Sequence, residues 1–182
     1  NSALIENKLG NKSNAVKLYE KFRRFYPKSA LMPECLFELA TINQELGNFK
    51  EALHAYEQYL KLKKPSKSIL VEARALNLRS RHNLSSNGRT GLIKYRNKLL
   101  KTPVDQNYEA RAIIAKLMFD GISKSHQAFK ARRIESSQDV FKQARRKQSK
   151  LKNLVKQYQS VVEIGSPEYV VASLYQIGDL HE

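Results

Sequence analysis

Residues 47–60 read GNFKEALHAYEQYL, in which Phe49, Ala52, Tyr56 and Tyr59 fall three and four apart. That spacing predicts an amphipathic helix opening just after a tight turn. Its apolar face alternates small residues, Ala52 and Ala55, with aromatic ones, and the alternation recurs along the chain. Ala15, Tyr19 and Pro27 are spaced four and eight; Ala52, Tyr56 and Pro65 four and nine; Gly91, Tyr95 and Pro103 four and eight. A glycine-bearing turn precedes each set, at Gly10, Gly47 and Ser86-Asn87-Gly88, so the period is 37 to 39 residues.

Other helical patterns lie between these: PECLFELATINQEL from Pro33, SILVEARALNLRSR from Ser68, and NYEARAIIAKLMF from Asn107. Proline suits a first helical position, an acidic residue suits the first turn, and Ser68 and Asp105 are candidate N-caps. The prolines after each Tyr-bearing helix end it. These features predict helix–turn–helix units at about 1–27, 33–65, 68–103 and 105–122. One such hairpin cannot bury its apolar face alone, so neighbours must stack: small residues admit close backbone approach and Tyr19, Tyr56 and Tyr95 fill the space to the next unit.

At these residues the chain resembles the tetratricopeptide repeat family. The paired-helix signature is fullest over 33–65, through Leu36, Leu39, Ala40, Gly47, Phe49, Ala52, Tyr56 and Pro65, and the preceding half-unit matches through Gly10, Ala15, Tyr19, Phe22 and Pro27. The third copy departs from it, with Gly91 for alanine and Arg79 or Ser80 at packing positions. The fourth keeps only its first helix, and the period exceeds the family's usual ~34 residues. The resemblance implies an all-α, TPR-like α-solenoid of stacked helix hairpins that mediates protein–protein interaction without catalysis. More narrowly, Phe25-Tyr26-Pro27-Lys28-Ser29 is similar to joints in repeats of bacterial cell-envelope proteins, which implies an envelope scaffold, in the periplasm or cell envelope rather than the cytoplasm.

From Ser123 the pattern changes. SKSHQAFKARRIESS is expected to be irregular, followed by a long inserted helix from Ser136 or Ser137 to about Ile164. Phe141, Ala144, Gln148, Leu151, Val155, Tyr158 and Val162 alternate three and four apart along it, as a coiled-coil seam does, thin near Gln148 and widened beyond Leu151 by Leu154 and Val161, so that the C-terminal half is expected to pack. Either this is a repeat helix with a charged outer face, with 142–150 solvated, or its exposed half receives another helix or a partner. Residues 165–182 restore a first-helix pattern, with Leu174, Ile177 and Gly178 as the expected packing triplet. Val170, Val171, Leu174 and Ile177 would lack cover on one side, so a further repeat, a partner or self-association through this helix is expected. The first residue is not methionine and the last lies within a helical pattern, so both ends are expected to be cuts.

Charge sharpens the picture. The net charge is +16 and it is uneven. Residues 73–104 carry eight basic and no acidic residues, and residues 123–156 carry eleven basic residues against Glu135 and Asp139. Two binding surfaces follow. First, Arg74, Asn77 and Arg81 share a helix face by steps of three and four, and Arg111 stands 37 residues after Arg74; together they would line a groove for an acidic or C-terminal segment of another protein. Second, Arg132, Arg133, Lys142, Arg145, Arg146, Lys147, Lys150 and Lys152 could meet phosphates of an anionic surface, lipid headgroups or nucleic acid. Base stacking is poorly provided for, because only Phe129 and Phe141 interrupt that stretch, and a bilayer surface needs none. Either set could instead simply solvate its helix.

Catalytic chemistry is hardly represented. His54, His82, His126 and His181 have no paired ligand spacing, no phosphate-cradling glycine loop or serine elbow occurs, and Glu34, Glu38 and Glu45 read as a solvated stripe. The single Cys35 precedes Leu36-Phe37 and is expected to be a small core residue. No cofactor, metal or enzymatic activity is expected. Phe37 and Thr41 also stand where a carboxylate-clamping lysine or asparagine would be needed.

Overall fold

A computed structural model describes residues 2–63, 65–82, 88–134 and 139–181. All its regular elements are helices: α1 (Ser2–Lys8), α2 (Lys12–Phe25), α3 (Met32–Glu45), α4 (Phe49–Leu60), α5 (Ser68–Arg81), α6 (Gly88–Leu99), α7 (Tyr108–Lys130), α8 (Val140–Val162) and α9 (Pro167–Asp179). The fold is thus of the expected all-α, helical-hairpin class. The chain divides within α6 into two compact units, Asn1–Leu92 and Ile93–Glu182.

In the first unit α1 packs on α2, α2 on α3, α3 on α4 and α4 on α5. The turns of the first two hairpins are copies. Gly10 and Gly47 take left-handed φ angles of 83° and 79°, which glycine adopts without steric cost. The next residue's N–H then reaches back to the fifth residue before it: Asn11 to the Glu6 carbonyl at 2.9 Å and Asn48 to the Asn43 carbonyl at 2.8 Å. This closure satisfies carbonyls left open at a helix end. Thirty-seven residues separate the two, which is why the sequence period and the hairpin period coincide.

The small-and-aromatic face is the core. Ala15, Ala40, Ala52, Tyr19, Tyr56 and Tyr59 are buried. The buried tyrosines keep polar partners, as such rings require: Tyr56 Oη donates to Gln44 Oε1 at 3.2 Å, and the Lys67 N–H donates to Tyr59 Oη at 2.9 Å. Ser68 is the first residue of α5, and the N-cap position falls to Lys67 rather than Ser68. Gly91 replaces alanine for a local reason, since a Cβ there would stand 3.1 Å from Leu76 Cδ2. Helix α6 approaches α5 too closely for a methyl group to fit without displacing that leucine.

In the second unit α7, α8 and α9 pack mutually. Four expectations are corrected here. The segment from Ser123 is not irregular at first: α7 continues unbroken to Lys130, because Ile122, His126 and Phe129 bury one face at steps of four and three. The N-cap of α7 is Asn107, at φ 60°, not Asp105. Asparagine tolerates that left-handed geometry better than most residues. On α8, Gln148 is solvated and Leu154, Tyr158 and Val161 are buried as expected, but Phe141 is exposed and the seam positions Val155 and Val162 are only half-buried. A coiled-coil seam serves one partner, whereas α8 packs against both α7 and α9, which moves the buried face by about one residue. On α9, Leu174 and Gly178 are exposed and Tyr169, Ser173 and Leu180 are buried instead, because the helix turns its Tyr169–Ser173 side inward. Ser136 and Ser137, expected to cap α8, lie outside the described residues.

Candidate functional site

In the first unit α3 and α5 together present a face built around Phe37. Phe37 is buried against Tyr59, their ring centroids 6.3 Å apart. Two cations stand over the ring: Lys67 Nζ at 4.0 Å from its centroid and the Arg74 guanidinium carbon at 5.2 Å. Cations are held there by the negative face of the aromatic system. Arg74 Nη1 also donates to Thr41 Oγ1 at 3.1 Å and to Tyr56 Oη at 3.3 Å. The half-buried Arg74 is therefore anchored to α3 and α4. Asn77 is half-buried one turn on, and Arg81 is exposed at the end of α5.

Glu38 is the acidic member of this face. Burial pushes its carboxyl above the usual range, partly opposed by Lys67, with Glu34 and Glu45 pushing the same way as burial and Arg74 against it. Thr41 Oγ1 donates to the Phe37 carbonyl at 2.9 Å while accepting from Arg74. The face so assembled has fixed cationic donors beside an apolar ring, which suits a carboxylate attached to an apolar body.

Arg111, expected to join Arg74 in the groove, is corrected. It is 1% exposed, in the core of the second unit. Its guanidinium donates to the carbonyls of Gln106 at 3.0 Å, Thr102 at 2.8 Å, Pro103 at 3.0 Å and Leu99 at 3.3 Å, and also to that of Ile164. The cation ties the end of α6 and the following turn to the end of α8. Gly165, at φ 75°, makes room, since a Cβ there would lie 2.8 Å from Val104 Cγ1. Sequence spacing equated two arginines; packing gave them different tasks.

The basic set on the second unit is placed as follows. Arg132, Arg133, Lys142, Arg145, Arg146, Lys150 and Lys152 are exposed. Lys147 is drawn aside, half-buried, with Nζ 5.4 Å from the Phe129 ring centroid.

Two clusters escaped the sequence reading. One is an apolar groove of about 400 Å³ in the first unit, lined by Leu4, Phe22, Phe25, Tyr26 and Leu31 with Glu34 at its rim; the clustering of Phe22, Phe25 and Tyr26 was its only signal. The other joins three helices of the second unit. His126 Nδ1 is 2.8 Å from Tyr158 Oη and its Nε2 is 3.1 Å from Asp179, which also meets Lys130 Nζ at 2.5 Å. A carboxylate accepts only, so His126 Nε2 carries the hydrogen. No signal in the sequence pointed to it, since His126 stands in a polar run.

Catalytic candidates fare as their surroundings dictate. Cys35 is buried, its thiol donates to the Tyr19 carbonyl at 3.5 Å, and burial pushes it up to about 11. Among the described residues no group of three His, Cys, Asp or Glu side chains is placed to hold a metal ion, and no helix is long and apolar enough to cross a membrane.

With this geometry in place, two family profiles, each described as a tetratricopeptide repeat, match the chain at residues 1–29 and 33–65. These two segments are similar to tetratricopeptide repeats. No curated protein and no solved structure matches the chain. The matched segments correspond to α1–α2 and to α3–α4 with the turn after it, the two hairpins sharing one turn geometry. Tetratricopeptide repeats generally mediate protein–protein interaction and generally belong to non-catalytic scaffolds.

Proposed function

We propose that this chain is a scaffold whose tetratricopeptide unit holds a segment of another protein on the α3–α5 face, with a carboxylate of that segment against Arg74, Asn77 and Arg81. The observation that carries this reading is Arg74 itself. Its guanidinium is immobilised by Thr41, Tyr56 and Phe37, so little side-chain freedom is lost on meeting a ligand. Lys67 adds a second charge over the same ring. An acidic or C-terminal segment with a neighbouring apolar residue fits this pairing.

The setting we propose is a bacterial envelope or another multiprotein assembly, the envelope on the similarity of the Tyr26-Pro27-Lys28-Ser29 joint to envelope repeats; fractionation of native cells tests that placement separately. Self-association or a second protein contact is proposed for α9, where Val171, Leu174 and Tyr175 are exposed.

Crosslinking pull-down from native cells tests the groove. Wild-type chain should retain a partner that Arg74→Glu/Arg81→Glu loses, with moderate salt dependence and an unchanged far-UV circular dichroism spectrum. Retention of every partner by a folded double variant would defeat the proposal.

A further inference from the structure

We infer that α8, together with Arg132 and Arg133, docks on an anionic lipid bilayer, with Phe141 entering the headgroup layer. This rests on the second unit alone and is independent of the groove in the first.

The charge on α8 is one-signed. Between Val140 and Val162 the helix has no acidic residue. At about 100° per residue, Lys142, Arg145, Arg146, Lys150, Lys152 and Lys156 fall within about 160° of its circumference, with Ser149 and Asn153 between them. Leu154, Tyr158 and Val161, which pack inward, lie outside that arc, with Val161 about 20° beyond Lys150. The six cations are exposed. Among the described residues none of them makes an ion pair. Just before the helix, Arg132 and Arg133 are exposed as well.

Repulsion along such a row opposes ordering unless an anionic surface is near. A row roughly 21 Å long, from Lys142 to Lys156, matches an extended charged plane rather than a single phosphate.

Phe141 decides which plane. It is 87% exposed, about 20° outside the basic arc beside Lys152, and Ile134 is 44% exposed. Aromatic rings favour the boundary between headgroups and acyl chains, and basic side chains flanking one such anchor hold a helix flat on an anionic leaflet. A nucleic-acid backbone would match the charge equally well but leave Phe141 in water. Stacking on successive bases needs several aromatic faces, and Phe141 is the one exposed aromatic side chain among the described residues 131–156.

The test is co-sedimentation of the chain with vesicles of phosphatidylcholine alone and of phosphatidylcholine mixed with phosphatidylglycerol, run beside titration with a short DNA duplex and a short RNA duplex. The expected result is binding to the mixed vesicles only. Arg145→Gln/Arg146→Gln should weaken it roughly 30-fold at low salt. Phe141→Ser should abolish the part of the binding that survives high salt. Both variants alter solvent-facing positions and should keep the wild-type circular dichroism. Absence of vesicle binding, equal binding by the variants, or capture of a duplex in preference to the mixed vesicles would each overturn the inference.

Discussion

Arg111 on α7 donates to the carbonyl of Ile164, fifty-three residues later, while holding the turn after α6 through Thr102 and Pro103. One buried cation thus closes two helix ends. Removing it would leave several buried carbonyls without donors, each costing about 1–3 kcal/mol, and a cavity besides. Arg111→Ala should destabilise the second unit by at least about 3 kcal/mol, read from urea unfolding followed by circular dichroism. Arg111→Lys should recover only part, because a single ammonium cannot span the fork.

Asp179 makes the second unit acid-sensitive. The hydrogen bond from Lys130, more than that from His126, holds its carboxyl below the ordinary value of 3.8. A carboxyl lowered in the folded state contributes stability above its unfolded value and loses it as pH falls through the folded value. Wild-type stability should therefore decline below about pH 4 through this group. Asp179→Asn should remove that part of the decline and lower stability at neutral pH. Melting temperatures across pH 3–7 check both arms.

Glu38 works in the opposite sense. Its carboxyl is raised, chiefly by burial, so folding favours the protonated form. Stability from this group is complete below the unfolded value and is lost as pH rises through the folded one. Glu38→Gln should raise the melting temperature at pH 7 and leave it nearly unchanged at acid pH. A loss at pH 7 would show that attraction to Lys67 and Arg74 outweighs burial.

Cys35 is the sole cysteine, which makes its reactivity simple to read. With its thiol at about 11 and buried, almost no thiolate is present at neutral pH. A disulfide reagent should fail to label the folded protein at pH 7 and should react fully in denaturant. Rapid labelling under native conditions would contradict the packing of α2 against α3.

How much was legible can be followed at particular residues. Gly47 and Tyr56 were readable because their roles are local: one supplies a left-handed turn, the other sits a helical turn from Ala52. Arg74 was readable as a face residue, though not its anchoring by Thr41. His126 was misread because a polar residue in a polar run gives no sign that Tyr158 and Asp179 converge on it from α8 and α9. Phe141 was misread in the reverse direction, an apolar residue at seam spacing that no neighbour covers.

The chain's own order of small, aromatic and turn residues determined the helices, the hairpin repeat and the class of fold, since those follow from forces acting over a few residues. Only tertiary packing decided that Arg111 is buried and Arg74 is not, which side of α8 turns inward, and where α7 ends. Those outcomes depend on which carbonyls and rings arrive from distant helices, and equal spacing along a sequence does not make equal neighbours in space.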